Sequence, residues 1–258
     1  MSQYKKPVLI TGGTGLLGEA IADVFADKNH RVVITSRKFD SAAGFCDNKN
    51  TDEDTDQWVP LEVNLASSES ILMAVETLDD MELYPSFVIA NASSRDALGS
   101  SFDDISHDDF LSLFRVDVAG HMILTRELRK TAPPSSLASV TFMSSIYAIQ
   151  GVDNGIYPEE MMPTPIHYSA VKSAMTGLVQ SLAAQWGPST RVNVIISGGA
   201  QAEERQNDQF TEAYSDKTML DRLAQPREVA DAVYFLSSNN ASYITGNSLV
   251  VDGGYSAW

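Results

Sequence analysis

The sequence predicts one doubly wound α/β domain, a mostly parallel sheet with helices packed on both faces. Three observations carry that prediction. Short apolar runs rich in β-branched residues alternate with helix-period segments from end to end. A glycine-rich turn joins the first run to the first helical segment. The 258 residues are enough for one large core and do not require a second, so residues 1–258 are read as a single dinucleotide-binding and catalytic domain.

The strand runs fall, in order, at residues 8–11, 31–35, 58–63, 87–90, 139–143, 191–196 and 248–251. Most are continuously apolar rather than alternating, as strands buried on both faces of a parallel sheet are. Between the first two, Leu17, Ala20, Ile21, Val24 and Phe25 recur at helical spacing, and residues 67–78 carry a similar stripe. Longer helices are expected from about Asp108 and from Tyr168. Two stretches break the alternation. Residues 40–57 are polar and acidic and read as an exposed excursion. Residues 151–167, rich in Pro, Gly and Met, read as a long loop. Ligands of doubly wound sheets sit beyond the carboxyl ends of the strands, so this second loop is expected to wall a substrate site.

Lys and Arg total 18 against 34 Asp and Glu, a formal net charge of −16. Such a surface repels phosphate backbones, which argues against nucleic acid and anionic membranes as partners. Cys46 is the sole cysteine, so no intrachain disulfide can form; a reducing compartment and an incidental loop thiol are expected. No run approaches the roughly 18 apolar residues of a membrane span, and no signal peptide precedes the first strand. The expectation is a cytoplasmic protein. Histidines at 30, 107, 121 and 167 show no metal-ligand spacing, so no metal is expected. Asp103, Asp104, Asp108 and Asp109 suit a helix start, where the dipole favours negative charge.

The turn Thr11-Gly12-Gly13-Thr14-Gly15-Leu16-Leu17-Gly18 ends the first strand and opens the first helix. Glycines there permit the tight turn and a close backbone approach, and free N–H groups at a helix start meet a pyrophosphate. This is the Rossmann-type arrangement, and Gly12, Thr14, Gly15, Leu16 and Leu17 are its cofactor candidates. The second strand ends Ser36-Arg37, with no acid before Asp40. Where NAD-binding folds place a carboxylate for the ribose hydroxyls, a hydroxyl and a guanidinium suit the 2′-phosphate, so NADP(H) is preferred, with NAD(H) possible.

Ser144-Ser145 ends the fifth strand, and Tyr168-Ser169-Ala170-Val171-Lys172 opens the long helix. Tyr and Lys at i and i+4 share a helix face, and an ammonium beside a phenol favours the phenolate, which suits general acid/base work. His167 is read as a packing residue. Tyr147 and Tyr157 offer aromatic faces and hydroxyls to a substrate.

Taken together these pieces resemble the short-chain dehydrogenase/reductase family over nearly the whole length and in family order. Ala90-Asn91-Ala92-Ser93 resembles its motif after the fourth strand, Arg191-Val192-Asn193 its sixth strand, and Tyr243-Ile244-Thr245-Gly246 through Val251-Asp252-Gly253-Gly254 its C-terminal signature. The resemblance implies hydride transfer at a carbinol or carbonyl carbon. Tyr168 would exchange the proton, Ser145 would hydrogen-bond the substrate oxygen, and Lys172 would hold the nicotinamide ribose. It further implies cofactor contacts from Asn64, Leu65, Asn91, Ala92, Ser93, Gly198 and Ala200, substrate contacts from Ser145, Tyr147 and Tyr157, and a homo-oligomer, tetramer or dimer. Ser144-Ser145-Ile146-Tyr147, the insert before Tyr168 and the ending Asp252 to Trp258 resemble a narrower bacterial group linked to flagellin modification and surface-sugar biosynthesis.

The departures from the family pattern carry their own expectations. Asp117 stands where the family usually has an Asn that anchors a proton-relay water, and an ionised carboxylate accepts from that water without donating. Asn64 replaces the usual Asp beside adenine, its carbonyl being the acceptor left. Ser197-Gly198-Gly199-Ala200 replaces a Pro-Gly motif, and Ala202 a Thr, so nicotinamide contacts fall to backbone groups of Glu203 or Gln206. Two classes of function stay open. One is an NADP(H)-preferring dehydrogenase/reductase of a sugar, nucleotide sugar or polyol; the other is a dinucleotide-binding scaffold or redox sensor with little turnover.

Overall fold

The computed structural model describes residues 4–50, 56–95, 98–99, 101–202 and 206–258. In chain order the elements are β1 (Lys5–Thr11), α1 (Leu16–Asp27), β2 (His30–Ser36), α2 (Phe39–Lys49), β3 (Trp58–Glu62), α3 (Ser68–Asp80), β4 (Phe87–Ala90), α4 (His107–Phe114), α5 (His121–Thr131), β5 (Ser139–Ser145), α6 (Ile166–Trp186), β6 (Arg191–Ser197), α7 (Asp208–Ser215), α8 (Pro226–Ser237) and β7 (Ser248–Val251). The seven strands are all parallel in the order β3-β2-β1-β4-β5-β6-β7. Strand order reverses between β1 and β4, which opens a crevice at their carboxyl ends.

Each strand run is continuously apolar because its two faces meet two cores. In β1, Leu9 joins Val33, Val88, Phe142 and Val194 on one face. Its neighbours Val8 and Ile10 join Ile21, Phe25, Ile34 and Val233 on the other. All three are fully buried, as the two-residue period of a strand dictates. At the start of β6, Arg191 donates to the carbonyls of Leu236, Ser237 and Ser238 at 2.6–3.0 Å, satisfying the C-terminal carbonyls of α8.

Residues 40–57 are not simply an exposed excursion: most of the stretch folds as α2, with Ala42 and Cys46 buried. Its apolar stripe is only Ala42, Phe45 and Cys46, set among Asp, Asn, Gly and Lys, so hydrophobic period alone is too weak to mark a helix. Packing supplies the rest. Phe45 meets Trp58 edge-on, and the Lys49 ammonium lies over both rings while pairing with Asp23 at 2.8 Å and Glu19 at 3.0 Å. Cys46 is therefore a buried helix residue and not a loop thiol; burial, with Asp47 adding, pushes its pKa up to about 12.

Residues 107–131 form one helical run interrupted by a π turn at Arg115–Gly120. Ser106 and Asp109 cap its start reciprocally. At Gly120 an added Cβ would stand 2.3 Å from the Leu65 carbonyl oxygen, so glycine lets the helix pass against the loop after β3. The stretch from 151 to 165 holds only a short 3₁₀ turn at Asn154–Ile156, consistent with the long loop expected there.

Candidate active site

A cavity of about 1030 Å³ opens at the carboxyl ends of the central strands. Of the sequence-predicted residues, Gly12, Thr14, Gly15, Leu16, Leu17, Ser36, Arg37, Asn64, Leu65, Asn91, Ala92, Ser93, Tyr157, Tyr168, Lys172, Gly198 and Ala200 line it. No Asp or Glu side chain is among its described lining residues, in a protein of net charge −16.

The phosphate loop is built by backbone constraint. Gly12 adopts φ +62°, a left-handed conformation, and Gly18 packs so close to Gly12 that no Cβ fits between them. Asn91 holds the loop from the neighbouring strand, its side-chain amide donating to the carbonyls of Thr11 (2.9 Å) and Gly12 (3.2 Å). The N-terminus of α1 has no side-chain cap and opens onto the cavity at Leu16 and Leu17. At the other end, Ser36 and Arg37 lie where β2 ends. Asn64 spends one carbonyl lone pair on Ala66 N–H at 3.0 Å.

On the opposite wall, α6 brings Lys172 and Tyr168 to one face, with the ammonium 5.3 Å from the phenol ring centroid. Lys172 is buried and its Nζ donates to Asp117 Oδ2 at 2.8 Å, a direct ion pair. The carboxylate also accepts from Ser93 Oγ at 2.6 Å and from Ser94 N–H at 3.0 Å. Burial works against the Lys172 charge, but Asp117 and Tyr168 outweigh it and hold its pKa above the usual lysine range. Where a relay water was expected, Asp117 grips the lysine itself. Below it, the His121 Nδ1–H donates to the Asp117 carbonyl at 3.0 Å, and its Nε2 lies 2.8 Å from Thr11 Oγ1. That tautomer follows from the carbonyl, which only accepts. Sequence periodicity gave no sign of this link; the i, i+4 spacing of Asp117 and His121 was its one trace.

Ser145 ends β5 buried, its Oγ accepting from Tyr147 N–H at 3.3 Å; it is Ser144 that appears in the cavity lining. Tyr147 stands behind the wall and does not line it. Its hydroxyl meets Tyr157 at 2.8 Å, and Tyr157 in turn meets Thr164 at 2.9 Å. Met161, Met162, Thr164 and Phe210 complete this wall, none of them singled out in the sequence. His167 is fully buried against Phe110, with no hydrogen-bond partner on either ring nitrogen, and does not line the cavity. Beyond β6, the Gln206 side chain bridges Ala200 O (2.9 Å) and Ala202 N–H (2.8 Å). Glu203 lies outside the described residues. No group of three or more His, Cys, Asp or Glu suited to a metal occurs among the described residues.

The family profile described as enoyl-(acyl carrier protein) reductase matches residues 15–256. The chain belongs to the short-chain dehydrogenase/reductase family. Within that family it is 28% identical to an uncharacterized oxidoreductase, YmfI, of Bacillus subtilis (strain 168), over 97% of this chain and 98% of that one. It is 27% identical to the 3-oxoacyl-[acyl-carrier-protein] reductase FabG of Aquifex aeolicus, covering 96% of each. Among solved structures, a short-chain dehydrogenase of Leptospira borgpetersenii with bound NAD+ superposes with a TM-score of 0.83 at 24% identity, over 98% of this chain and 93% of that one. A 4-hydroxyisoleucine dehydrogenase complexed with NADH gives 0.83 at 24%, over 98% and 100%.

As a short-chain dehydrogenase/reductase the protein is an NAD(P)-dependent oxidoreductase. Its site fits a nicotinamide dinucleotide on its own evidence. The turn is held in a left-handed conformation that favours glycine, an uncapped helix start faces the cavity, and no carboxylate of the described lining would oppose the phosphates. The phosphate loop with Asn91 would hold the pyrophosphate, and Lys172 the nicotinamide ribose.

Proposed function

We propose that the protein interconverts a carbonyl and its alcohol with NADP(H) preferred over NAD(H), using Tyr168 as acid/base. The observation that carries this is the Lys172 ammonium lying 5.3 Å over the Tyr168 ring on the wall of the cofactor-sized cavity. The dinucleotide supplies or takes the hydride. In the reductive direction the Tyr168 hydroxyl gives its proton to the substrate oxygen, and Ser145 hydrogen-bonds that oxygen. Lys172 keeps positive charge beside the phenol while Asp117 fixes where that charge sits. A proton transfer positioned this way is typically worth about 10²–10⁴-fold in rate.

The substrate on this reading is a sugar, nucleotide sugar or polyol of surface-carbohydrate biosynthesis. Its support is the hydroxyl chain Tyr157–Tyr147 and Tyr157–Thr164, which presents an aromatic face with polar handles, as carbohydrate sites do. The apolar Met161, Met162 and Phe210 beside it favour a second reading, an acyl chain, in keeping with the FabG relatives. Preference for NADP(H) rests on Ser36 and Arg37 at the end of β2. A scaffold or sensor with little turnover is the non-enzymatic alternative. We further read the protein as a cytoplasmic homo-oligomer, dimer or tetramer, packing through α4 and α6. Leu111 and Phe114 lie exposed on α4, and Gly177 on α6 has open space where a Cβ would stand. No described helix is long and apolar enough to cross a membrane.

The test is a panel of keto-sugars, nucleotide sugars and 3-oxoacyl thioesters scored for NADPH and NADH oxidation. Turnover of a sugar member supports the first reading and of a thioester the second. Tight NADPH binding without turnover of any member supports the scaffold.

A further inference from the structure

A lysine ammonium that only needed to face a cofactor ribose would require no carboxylate behind it. Here Asp117 is fully buried and stands 2.8 Å from Lys172 Nζ, itself only 4% exposed. The carboxylate is held from three sides, by Lys172, Ser93 Oγ and Ser94 N–H, so its position is fixed by the fold rather than by solvent. Three nearby groups can titrate. They are Tyr168 on α6, Asp117 on the π turn and His121 on α5; from β5 the Met143 carbonyl accepts from Lys172 Nζ at 3.4 Å, and Ser144 Oγ donates to the Lys172 carbonyl at 2.9 Å. Burial keeps the His121 pKa below the usual histidine range, so the imidazole adds no charge at neutral pH. The local account is therefore one ammonium, one carboxylate and one phenol.

We propose that Asp117 is a positioning residue that anchors the Lys172 ammonium beside Tyr168 by a direct ion pair, so that the charge facing the phenol and the cofactor ribose persists into the alkaline range. The inference rests on the acid/base reading of Tyr168 given above. Its physical basis does not depend on which of the two gives up a proton first, because interacting groups titrate as a pair. Loss of either proton leaves the site one unit more negative beside a fixed carboxylate, and that costs more than it would beside a neutral side chain. An amide at 117 would let the pair deprotonate at lower pH.

Asp117→Asn is nearly isosteric and its carbonyl can still accept from Ser94. Two profiles are measured across pH 6–11: the rate of NADPH-dependent carbonyl reduction, and the NADPH dissociation constant by cofactor fluorescence. An opposite charge within about 4–6 Å moves such a midpoint by about one to three pH units. The expected result is that the alkaline decline of both profiles moves to lower pH by about that amount, while Asp117→Glu, which keeps the charge, leaves it near the parent value. If Asp117→Asn folds poorly by circular dichroism, the smaller neutral Asp117→Ser reads the same decline. Profiles that fall in height but keep their midpoints mean a structural role only and overturn the proposal, as does a move to higher pH. The binding profile needs no turnover, so failure of the reductase reading leaves this test standing.

Discussion

Gly18→Ala is the sharpest probe of how the cofactor loop is built. An added Cβ would stand 2.2 Å from the Gly12 carbonyl oxygen, 2.8 Å from Gly13 Cα and 3.0 Å from the Asn91 side-chain amide. A relaxed carbon–oxygen contact needs roughly 1 Å more than the first of these, and the obstacle is backbone on two sides, so the turn has to move. Overpacking of this kind costs about 1–3 kcal/mol of stability, a loss of roughly 2–12 °C in Tm for a chain of this size. The same movement carries the Gly12–Gly15 backbone away from the pyrophosphate position. Losing one or two charge-assisted hydrogen bonds, each about 1.5–3 kcal/mol, weakens NADPH binding by at least tenfold. Thermal melting and NADPH titration by fluorescence measure the two effects. Gly15→Ala is the control for stability, since its Cβ meets only the Gly12 oxygen, at 3.5 Å. An unchanged Tm and cofactor affinity in Gly18→Ala, or an equal loss of Tm in Gly15→Ala, would refute the geometric account.

Three more outcomes are expected. Tyr168→Phe keeps the ring and its place under Lys172, so fold and cofactor binding survive while turnover drops about 10²–10⁴-fold; wild-type turnover on a genuine substrate would move the acid/base elsewhere. Arg37→Ala weakens NADPH and leaves NADH nearly untouched, because only the former carries the 2′-phosphate; isothermal titration of both cofactors decides it, and equal losses rule the assignment out. His30 and His121 are both held below the usual histidine range by burial. The unfolded chain therefore takes up protons first as pH falls through about 6.5, so stability drops there by up to roughly 1.4 kcal/mol per pH unit for each. Denaturant midpoints between pH 7.5 and 5.5 measure this, and a flat profile would contradict it.

The strand positions were legible because burial on both faces leaves no room for polar residues, as Val8, Leu9 and Ile10 illustrate. The shared face of Tyr168 and Lys172 was legible from helical spacing alone. Helix α2 was not, since its stability comes from Phe45 against Trp58 and from Lys49 bridging to α1, contacts between residues distant in sequence. Nor does spacing show that Asp117 would meet Lys172, 55 positions away, without an intervening water. Tyr147 and Tyr157 both read as substrate candidates, but the turn after β5 buries the first, whereas the second, on the loop before α6, lines the cavity.

The π turn at Arg115–Gly120 amounts to one residue more than a regular helix would use. A π turn takes more residues per turn than an α-helix, so the surplus is absorbed within it and the two flanking segments keep their phase. Leu113, ahead of the turn, packs toward α6, whereas Leu124 and Leu128, beyond it, pack into the core around Phe142. Deleting one residue there would restore an unbroken α-helix with those two faces still aligned. What would go is the widened turn itself, which holds the Asp117 carboxylate against Lys172 and its carbonyl against the His121 ring. Two helices that look like one are thus kept in phase, and the residue in surplus forms the turn that carries Asp117 to Lys172.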